Sequence, residues 1–567
     1  MRTIRIENVQ KKDFETIFDI TFLNKTFKNI KINLIGNHNV LNAAAVFGLC
    51  HQLGINEAII RKTFESFVNS KRRLEKVLSV NETIFFDDYA HHPTEVKCTL
   101  KALKDAIHER KLICIFQPHR YSRLNDLFDE FINSFDLVDE LIVTNIYSAG
   151  EKKIKNVSEK KLVEKLKEKD INVKHIKDEK LEDYILKNVG PFDVVIALGA
   201  GDISSKIRNI ANNFSKNPKK LKVGIIYGGK SNEHEISIKS TKNYSLAFDE
   251  KIFEVNFFKI LKDGRWIYQG KDITNNEDES KSSNDKFSSK ILKELKKIDV
   301  AFPILHGPFG EDGMLGAFLD TLEIPYIGSD YFTASIGMDK AFSKFVVRSY
   351  GVLTTDFIEV LERDWRDNKE NIIAKILNQF SFPVYIKPNH LGSSIGIKYI
   401  EDRKDLKEAI DYVFKFDTSL IIEERVLGEE VQAAVIGNDN IIVGEIGQFL
   451  SENQFFDYEK KYEKCTMVAK LPLDLPKEKI DEIKNAARQI YKALKLNGFS
   501  RIDFFLGKDQ KLYFNEVNPI PGYSSALSLF PRMLAHIGIS PKDMINNFVT
   551  YAFHKARKNK IFERQKV

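Results

Sequence analysis

A polar seam, NNFSKNPKKLK at residues 212–222, divides this 567-residue chain into two halves, each alternating short apolar runs with helical patterns. A chain this long exceeds what one hydrophobic core can serve. At roughly one domain per 100 to 200 residues, three to five domains are expected. The seam holds Pro218 and reads as a linker over residues 212–221. Alternation of strands and helices predicts an α/β multidomain protein. A second polar stretch, residues 275–290, lacks periodicity and reads as a surface loop.

The net charge of +7 comes from lysines interleaved with acids rather than from one basic block, so no nucleic-acid partner is expected. The excess suits local sites for nucleotide phosphates. Cys50, Cys98, Cys114 and Cys465 are far apart and form no C-x-x-C pair, which argues against a disulfide framework or a zinc site and fits a reducing cytosol. No apolar run approaches the ~18 residues of a membrane span. The N-terminus has no apolar segment either, so the expectation is a cytoplasmic protein with no membrane partner.

In the first half the runs TIFFDDY, KLICIF, ELIVTNI, INVKHI and DVVIALGAGDI predict a mostly parallel sheet. Functional loops leave such sheets at the C-terminal strand ends. Here those loops are DYAHHP (88–93), FQPHRYSR (116–123) and LGAGD (198–202). His91 and His92 read most simply as residues hydrogen-bonded at a helix start, with Pro93 in the first turn.

The richest segment is RIDFFLGKDQKLYFNEVNPIPG, residues 501–522: two extended runs joined by the turn GKDQ. Alternation puts Arg501 and Asp503 on one face of the first strand, and Glu516 and Asn518 on one face of the second. Paired, they would present oxygen donors and a guanidinium to one point. Hard oxygen donors without His or Cys suit magnesium, whose shell is commonly completed by substrate phosphates. Upstream, FPVYIKPNHLGSSIG (382–396) is a strand bearing Lys387 that enters a Gly/Ser loop able to approach phosphate, without the G-x-x-x-x-G-K-[ST] spacing in that segment. IIEERVLGEE (421–430) is an apolar strand ending in acids, a form suited to an adenosine pocket. In YGGKSNEHEIS (227–237), Glu235 stands near a strand end where a substrate ammonium could bind.

In chain order, GGKSNEHEIS, LHGPFGEDG, PYIGS, MDK, IKPNHLGSSIG, DYEKKY, RIDFF and NEVNPIPG resemble D-alanine:D-alanine ligase over about 340 residues. The resemblance implies a three-subdomain ATP-grasp ligase: residues 222–335 as the N-terminal α/β subdomain, 336–425 as the first ATP-grasp subdomain and 426–567 as the second. It implies that Lys340, Lys387 and Lys461 contact ATP, that Glu423, Val426 and Glu430 line the adenosine pocket, and that Asp503, Glu516 and Asn518 hold two Mg2+ (or Mn2+) ions. Glu235 would anchor the first D-alanine, Ser393 and Tyr462 would close the site, and Arg501 would stabilise the oxyanion. His306, Gly522, Ser528 and Leu529 would bind substrate. Tyr462 resembles the enzymes that form D-alanyl-D-alanine. The resemblance departs at Gly316, Ala317 and Pro519, and in one extra residue before Pro531. Another ATP-grasp carboxylate–amine ligase is the alternative.

In the first half, GNHNVLNAAAVFG, KRRLE, DDYAHHPTEV, FQPHRYSR and LGAGDI resemble the C-terminal region of UDP-N-acetylmuramate:L-alanine ligase, a Mur ligase. This implies a remnant of the Mur central domain (residues 1–70) and a Rossmann-like C-terminal domain (71–211). His38, Asn39 and Asn42 would lie near adenine, and His91, His119 and Arg120 would face the amino-acid and muramate side. The family's G-T-x-G-K-T phosphate loop does not occur ahead of Gly36, so this half is expected to be inactive alone. A separate Mur polypeptide could complete it, making a bifunctional assembly. A homodimer is compatible with the sequence.

Overall fold

The computed structural model describes residues 4–12, 14–67, 69–272, 289–450, 468–523 and 528–563 and divides into two compact units, residues 1–220 and 221–567. In the first unit, β1 (Arg5–Lys12), β2 (Glu15–Phe22) and β3 (Lys25–Ile32) form an antiparallel sheet. It packs Phe18, Ile20, Phe27 and Ile30 against Val40 and Phe47 of the helix Asn37–Gln52.

A six-stranded sheet follows: β4 (Glu75–Val80), β5 (Thr83–Asp88), β6 (Leu112–Phe116), β7 (Glu140–Val143), β8 (Val173–His175) and β9 (Val194–Leu198), in the order β4-β5-β9-β6-β7-β8. All neighbours run parallel except β4–β5. Strands β5, β6, β7 and β9 are buried along their whole length, which explains their near-continuous apolar runs. Alternate residues serve the two faces: Phe86, Cys114 and Ile196 enter one core, Phe85, Ile113 and Val195 the other. The mostly parallel sheet is therefore as the sequence predicts.

The predicted linker is shorter than expected. The helix Ile203–Lys216 runs through its first half, because Ile207, Ile210, Ala211 and Phe214 continue one apolar face into the core. Only residues 217–220 separate this helix from the next strand.

The second unit opens with β10 (Leu221–Gly228), β11 (Phe253–Ile260), β12 (Trp266–Tyr268), β13 (Lys271–Asp272) and β14 (Val300–Ile304), where β11, β10 and β14 are parallel neighbours. Of the polar stretch 275–290, all but Ser289 and Lys290 lie outside the described residues; these two open the helix Ser289–Leu295. Two antiparallel sheets follow. One has the order β15-β18-β16-β17, from β15 (Phe357–Leu361), β16 (Val384–Pro388), β17 (Lys398–Ile400) and β18 (Ser419–Glu424). The other has the order β21-β20-β19-β22-β23, from β19 (Gly428–Ile436), β20 (Ile442–Leu450), β21 (Val468–Lys470), β22 (Phe499–Gly507) and β23 (Leu512–Asn518). Each has its own apolar cluster, so charged side chains can gather on the remaining surfaces between layers.

Candidate active site

Strands β22 and β23 pair in the register Arg501↔Asn518 and Asp503↔Glu516, which places the four predicted side chains together. Arg501 grips Asp503 with a two-pronged pair, Nε to Oδ1 and Nη2 to Oδ2, both 2.7 Å. Asn518 Nδ2 adds a bond to Asp503 Oδ2 at 3.0 Å. Burial opposes the Arg501 charge, but Asp503, Glu430 and Glu516 more than offset it and hold the guanidinium above its ordinary value. Gln432 of β19 lies directly opposite Asp503; it is buried, and its Oε1 has no hydrogen-bond partner. Glu430 is two residues away on the same strand face.

Across from this ribbon stand the lysines. Lys340 begins the helix Lys340–Ser349, with Asp339 as N-cap, and its Nζ lies 3.3 Å from Glu516 and donates to Leu391 O at 2.6 Å. That second bond ties it to the loop after β16. Lys387 of β16 pairs with Glu423 Oε2 at 2.7 Å. Despite burial, which alone would lower it, the Lys387 ammonium is held up by Glu423, Glu516 and Glu430. Glu423 is itself buried. Burial would raise its carboxyl, yet Lys344 and Lys387 hold it down at about 2. Its two oxygens accept from Lys344, Thr355 and Lys387. Val426 lies at the half-buried end of the segment that joins β18 to β19.

Oxygen donors from Asp503, Glu516 and Asn518 share one strand pair, which fits a hard divalent ion in donor type and placement. A carboxylate has about four lone-pair sites, so Asp503 can serve Arg501 and a metal together. Among the described residues no group of three or more His, Cys, Asp or Glu that could hold a metal occurs. Phosphate oxygens would therefore have to complete the shell.

Glu235 requires a correction. It is exposed on the helix His234–Ser245, whereas Glu233, the N-cap of that helix, is buried and accepts a hydrogen bond from Ser393 Oγ. Two residues rotate a helix by about 200°, so the two glutamates of one motif face nearly opposite ways. Of the two, Glu233 is the carboxylate that meets the Gly/Ser loop. Its bond to Ser393 closes the Gly/Ser loop over the site, and Ser393 and Ser394 both take left-handed backbone, φ 53° and 59°. Near Glu233 lies Glu311, pushed up to about 8 by burial and then by Glu233. His306 is buried, bonds Ser240 Oγ at 3.0 Å, and is driven down to about 4 by burial. Gly522 sits against the same pair: a Cβ there would lie 3.8 Å from Ser240 Oγ and 3.9 Å from His306 Cε1. Ser528 and Leu529 begin the helix Leu529–His536. Lys461 and Tyr462 lie outside the described residues.

The spacing G-x-x-x-x-G-K-S does occur once, from Gly224 to Ser231, but Gly224 is inside β10 and only Gly229 onward leaves the strand. No phosphate-wrapping loop forms there.

In the first unit, the loops after β5, β6 and β9 leave three neighbouring strands at one edge, as predicted. His119 stacks on Tyr147 at 5.6 Å, lies 5.7 Å from the His91 ring, and accepts from Arg123 Nη1 at 3.2 Å. Burial, then Arg123, His91 and Arg120, drive it down to about 4. Arg120 is exposed. His92 caps the helix Pro93–Ile107 in a capping box with Glu95, which bears out the cap reading of this histidine. His38 and Asn39 open the helix Asn37–Gln52, where Asn39 bonds Ile35 O, and Asn42 is exposed.

Residues 222–329 match the D-ala D-ala ligase N-terminus, 346–550 the D-ala D-ala ligase C-terminus, and 72–201 the Mur ligase, glutamate ligase domain. The VanG D-Ala:D-Ser ligase from Enterococcus faecalis is 31% identical, with TM-score 0.51, over 59% of this chain and all of that one. The D-alanine--D-alanine ligase of Caldicellulosiruptor bescii is 38% identical over 60% of this chain and 97% of its own length. Fold and site define a Mur ligase C-terminal domain followed by an ATP-grasp ligase of the D-Ala-D-Ala type. A Bifunctional enzyme MurC/Ddl from Chlamydia pneumoniae is 35% identical over 99% of this chain and 69% of its own length, and that of Chlamydia trachomatis is 35% identical over 96% and 68%. The chain belongs to this bifunctional MurC/Ddl family.

Proposed function

We propose that the second unit joins two D-alanines into D-alanyl-D-alanine with ATP, for peptidoglycan precursor synthesis in the cytoplasm. The observation that carries the reading is the register of β22 and β23, which sets Arg501, Asp503, Glu516 and Asn518 together, with Lys340 in contact with Glu516. Glu233 binds the first D-alanine's ammonium, opposite charge against opposite charge. The D-alanine carboxylate attacks the γ-phosphorus of ATP, the bond to the β–γ bridging oxygen breaks and ADP leaves, giving a D-alanyl phosphate, and Lys340 and Lys387 offset the anionic repulsion that would otherwise keep the reactants apart. Asp503, Glu516 and Asn518 would hold two Mg2+ ions, whose chemistry is to neutralise charge on the transferring phosphate. The second amino group then attacks the acyl carbon, displacing phosphate, while Arg501 stabilises the oxyanion. His306, Ser240 and Gly522 shape the amino-acid side of the pocket.

For the first unit we propose that His91, His119 and Arg120 face the amino-acid and muramate side of a Mur ligase reaction.

The test is phosphate release from ATP with magnesium and D-alanine. Release with D-alanine and none with L-alanine is expected; equal release with both points to a different carboxylate–amine ligase. D-serine as second substrate is a further arm, favoured by the likeness to the D-Ala:D-Ser ligase. Separately, ATP- and L-alanine-dependent modification of UDP-N-acetylmuramate by the chain alone is expected to be absent.

A further inference from the structure

Behind Lys340 and Lys387 stands a third lysine. Lys344, one turn after Lys340, is almost wholly buried, 1% exposed. Its ammonium meets three acceptors: Glu423 Oε1 at 2.9 Å, Thr355 Oγ1 at 3.1 Å and Phe514 O at 3.2 Å. An ammonium has three N–H groups, so all are used and none remains to reach a ligand. Glu423 belongs to β18 of the four-stranded sheet and Phe514 to β23 of the five-stranded one. Lys344 therefore pins both sheets through one charge.

The Glu423 carboxylate is shared. Oε1 takes Lys344 and Thr355, and Oε2 takes Lys387 at 2.7 Å. Among the described residues Lys387 makes one further hydrogen bond, to Asn515 Oδ1 at 3.4 Å, long for a strong one, and lies 5.8 Å from the Tyr385 and Phe505 ring centres. The triad thus holds two positive charges and one negative in a desolvated place, where an unbalanced charge is costly. With Lys344 present, Glu423 is neutralised without drawing on the whole charge of Lys387. Without it, Glu423 and Lys387 would form a closed neutral pair.

We propose that Lys344 is a positioning residue for nucleotide binding: it shares the charge of Glu423 with Lys387, so that the Lys387 ammonium keeps positive charge to offer a polyphosphate. This rests on the functional reading above, with Lys387 as a phosphate contact. The experiment is equilibrium binding of Mg-ATP to the full chain and to Lys344→Met, which keeps most of the volume, together with Glu423→Gln and the double variant. Lys344→Met is expected to weaken ATP binding at least tenfold with KM for D-alanine within about twofold. In the Glu423→Gln background, adding Lys344→Met is expected to change ATP affinity less than threefold, because the charge it answers is gone. That second comparison also serves if Lys344→Met alone does not fold.

Parent-like ATP affinity in Lys344→Met overturns the proposal, as does an equal loss in both backgrounds, which would show that Lys344 does not act through Glu423. Failure of the parent itself to bind ATP would overturn the functional reading and this inference together, whereas the preceding results strike only the inference.

Discussion

The two units treat buried charge differently. In the second, Lys340, Lys344, Lys387, Glu423, Arg501 and Asp503 come from separate segments and meet in one region. In the first, buried acids are spent on the scaffold: Asp88 accepts from the backbone of Leu74 and Ala90, and Glu140 is tied to Lys111, Lys174 and Tyr184. At its strand edge His119 stacks on Tyr147 and meets the His91 ring edge-on, with Arg123 bonded to it and the exposed Arg120 next in the chain. Convergent charge from distant segments is costly to assemble and is retained where chemistry uses it. Charge tied to neighbouring strands and to backbone, as at Glu140 and Asp88, mainly sets the fold.

The sharpest way to break this contrast is to substitute one residue in each unit. Arg501→Ala is expected to lower D-alanine-dependent phosphate release by about 10² to 10³, the usual effect of losing an oxyanion donor. His119→Ala should leave that rate unchanged; a loss from His119→Ala, or near-normal turnover in Arg501→Ala, would erase the distinction.

A smaller effect concerns pH. Glu311 is raised from its ordinary carboxyl value to about 8, chiefly by burial and then by Glu233. The folded state thus holds a proton that the unfolded state releases, so stability falls as pH rises from about 4.5 towards 8. Glu311→Gln should flatten this slope in denaturant titrations, with a gain over the parent near pH 8 and little difference near pH 5. An unchanged slope would place the pH dependence elsewhere.

The smallest is local to the first unit. Glu95 closes the capping box with His92, and Glu95→Ala is expected to cost about 1 kcal/mol of stability, read from the denaturation midpoint, without effect on the D-alanine reaction.

Much of this molecule was legible in its residues. Period-two alternation and the GKDQ turn located β22 and β23 and set Arg501 beside Asp503 and Glu516 beside Asn518, because strand geometry leaves little choice of face. Buried parallel strands were visible as apolar runs for the same reason. Glu233 and Glu235 show where pattern stops: both lie in one motif, and only the start of the helix at His234 decides which one turns inward. The seam is shorter than its composition predicts for a related reason: Phe214, a lone apolar residue in a polar stretch, joins one core with Ile207 and Ile210.

By itself, then, the sequence determined the element types, the ribbon's facing pairs and the family's ordered motifs, all properties of local periodicity and spacing. Tertiary structure alone decided that Lys344 would answer Glu423, that Ser393 would reach Glu233, and that Gln432 would stand beside Asp503. These partners are separated by 79, 160 and 71 positions in the chain, and no local rule of backbone geometry extends that far.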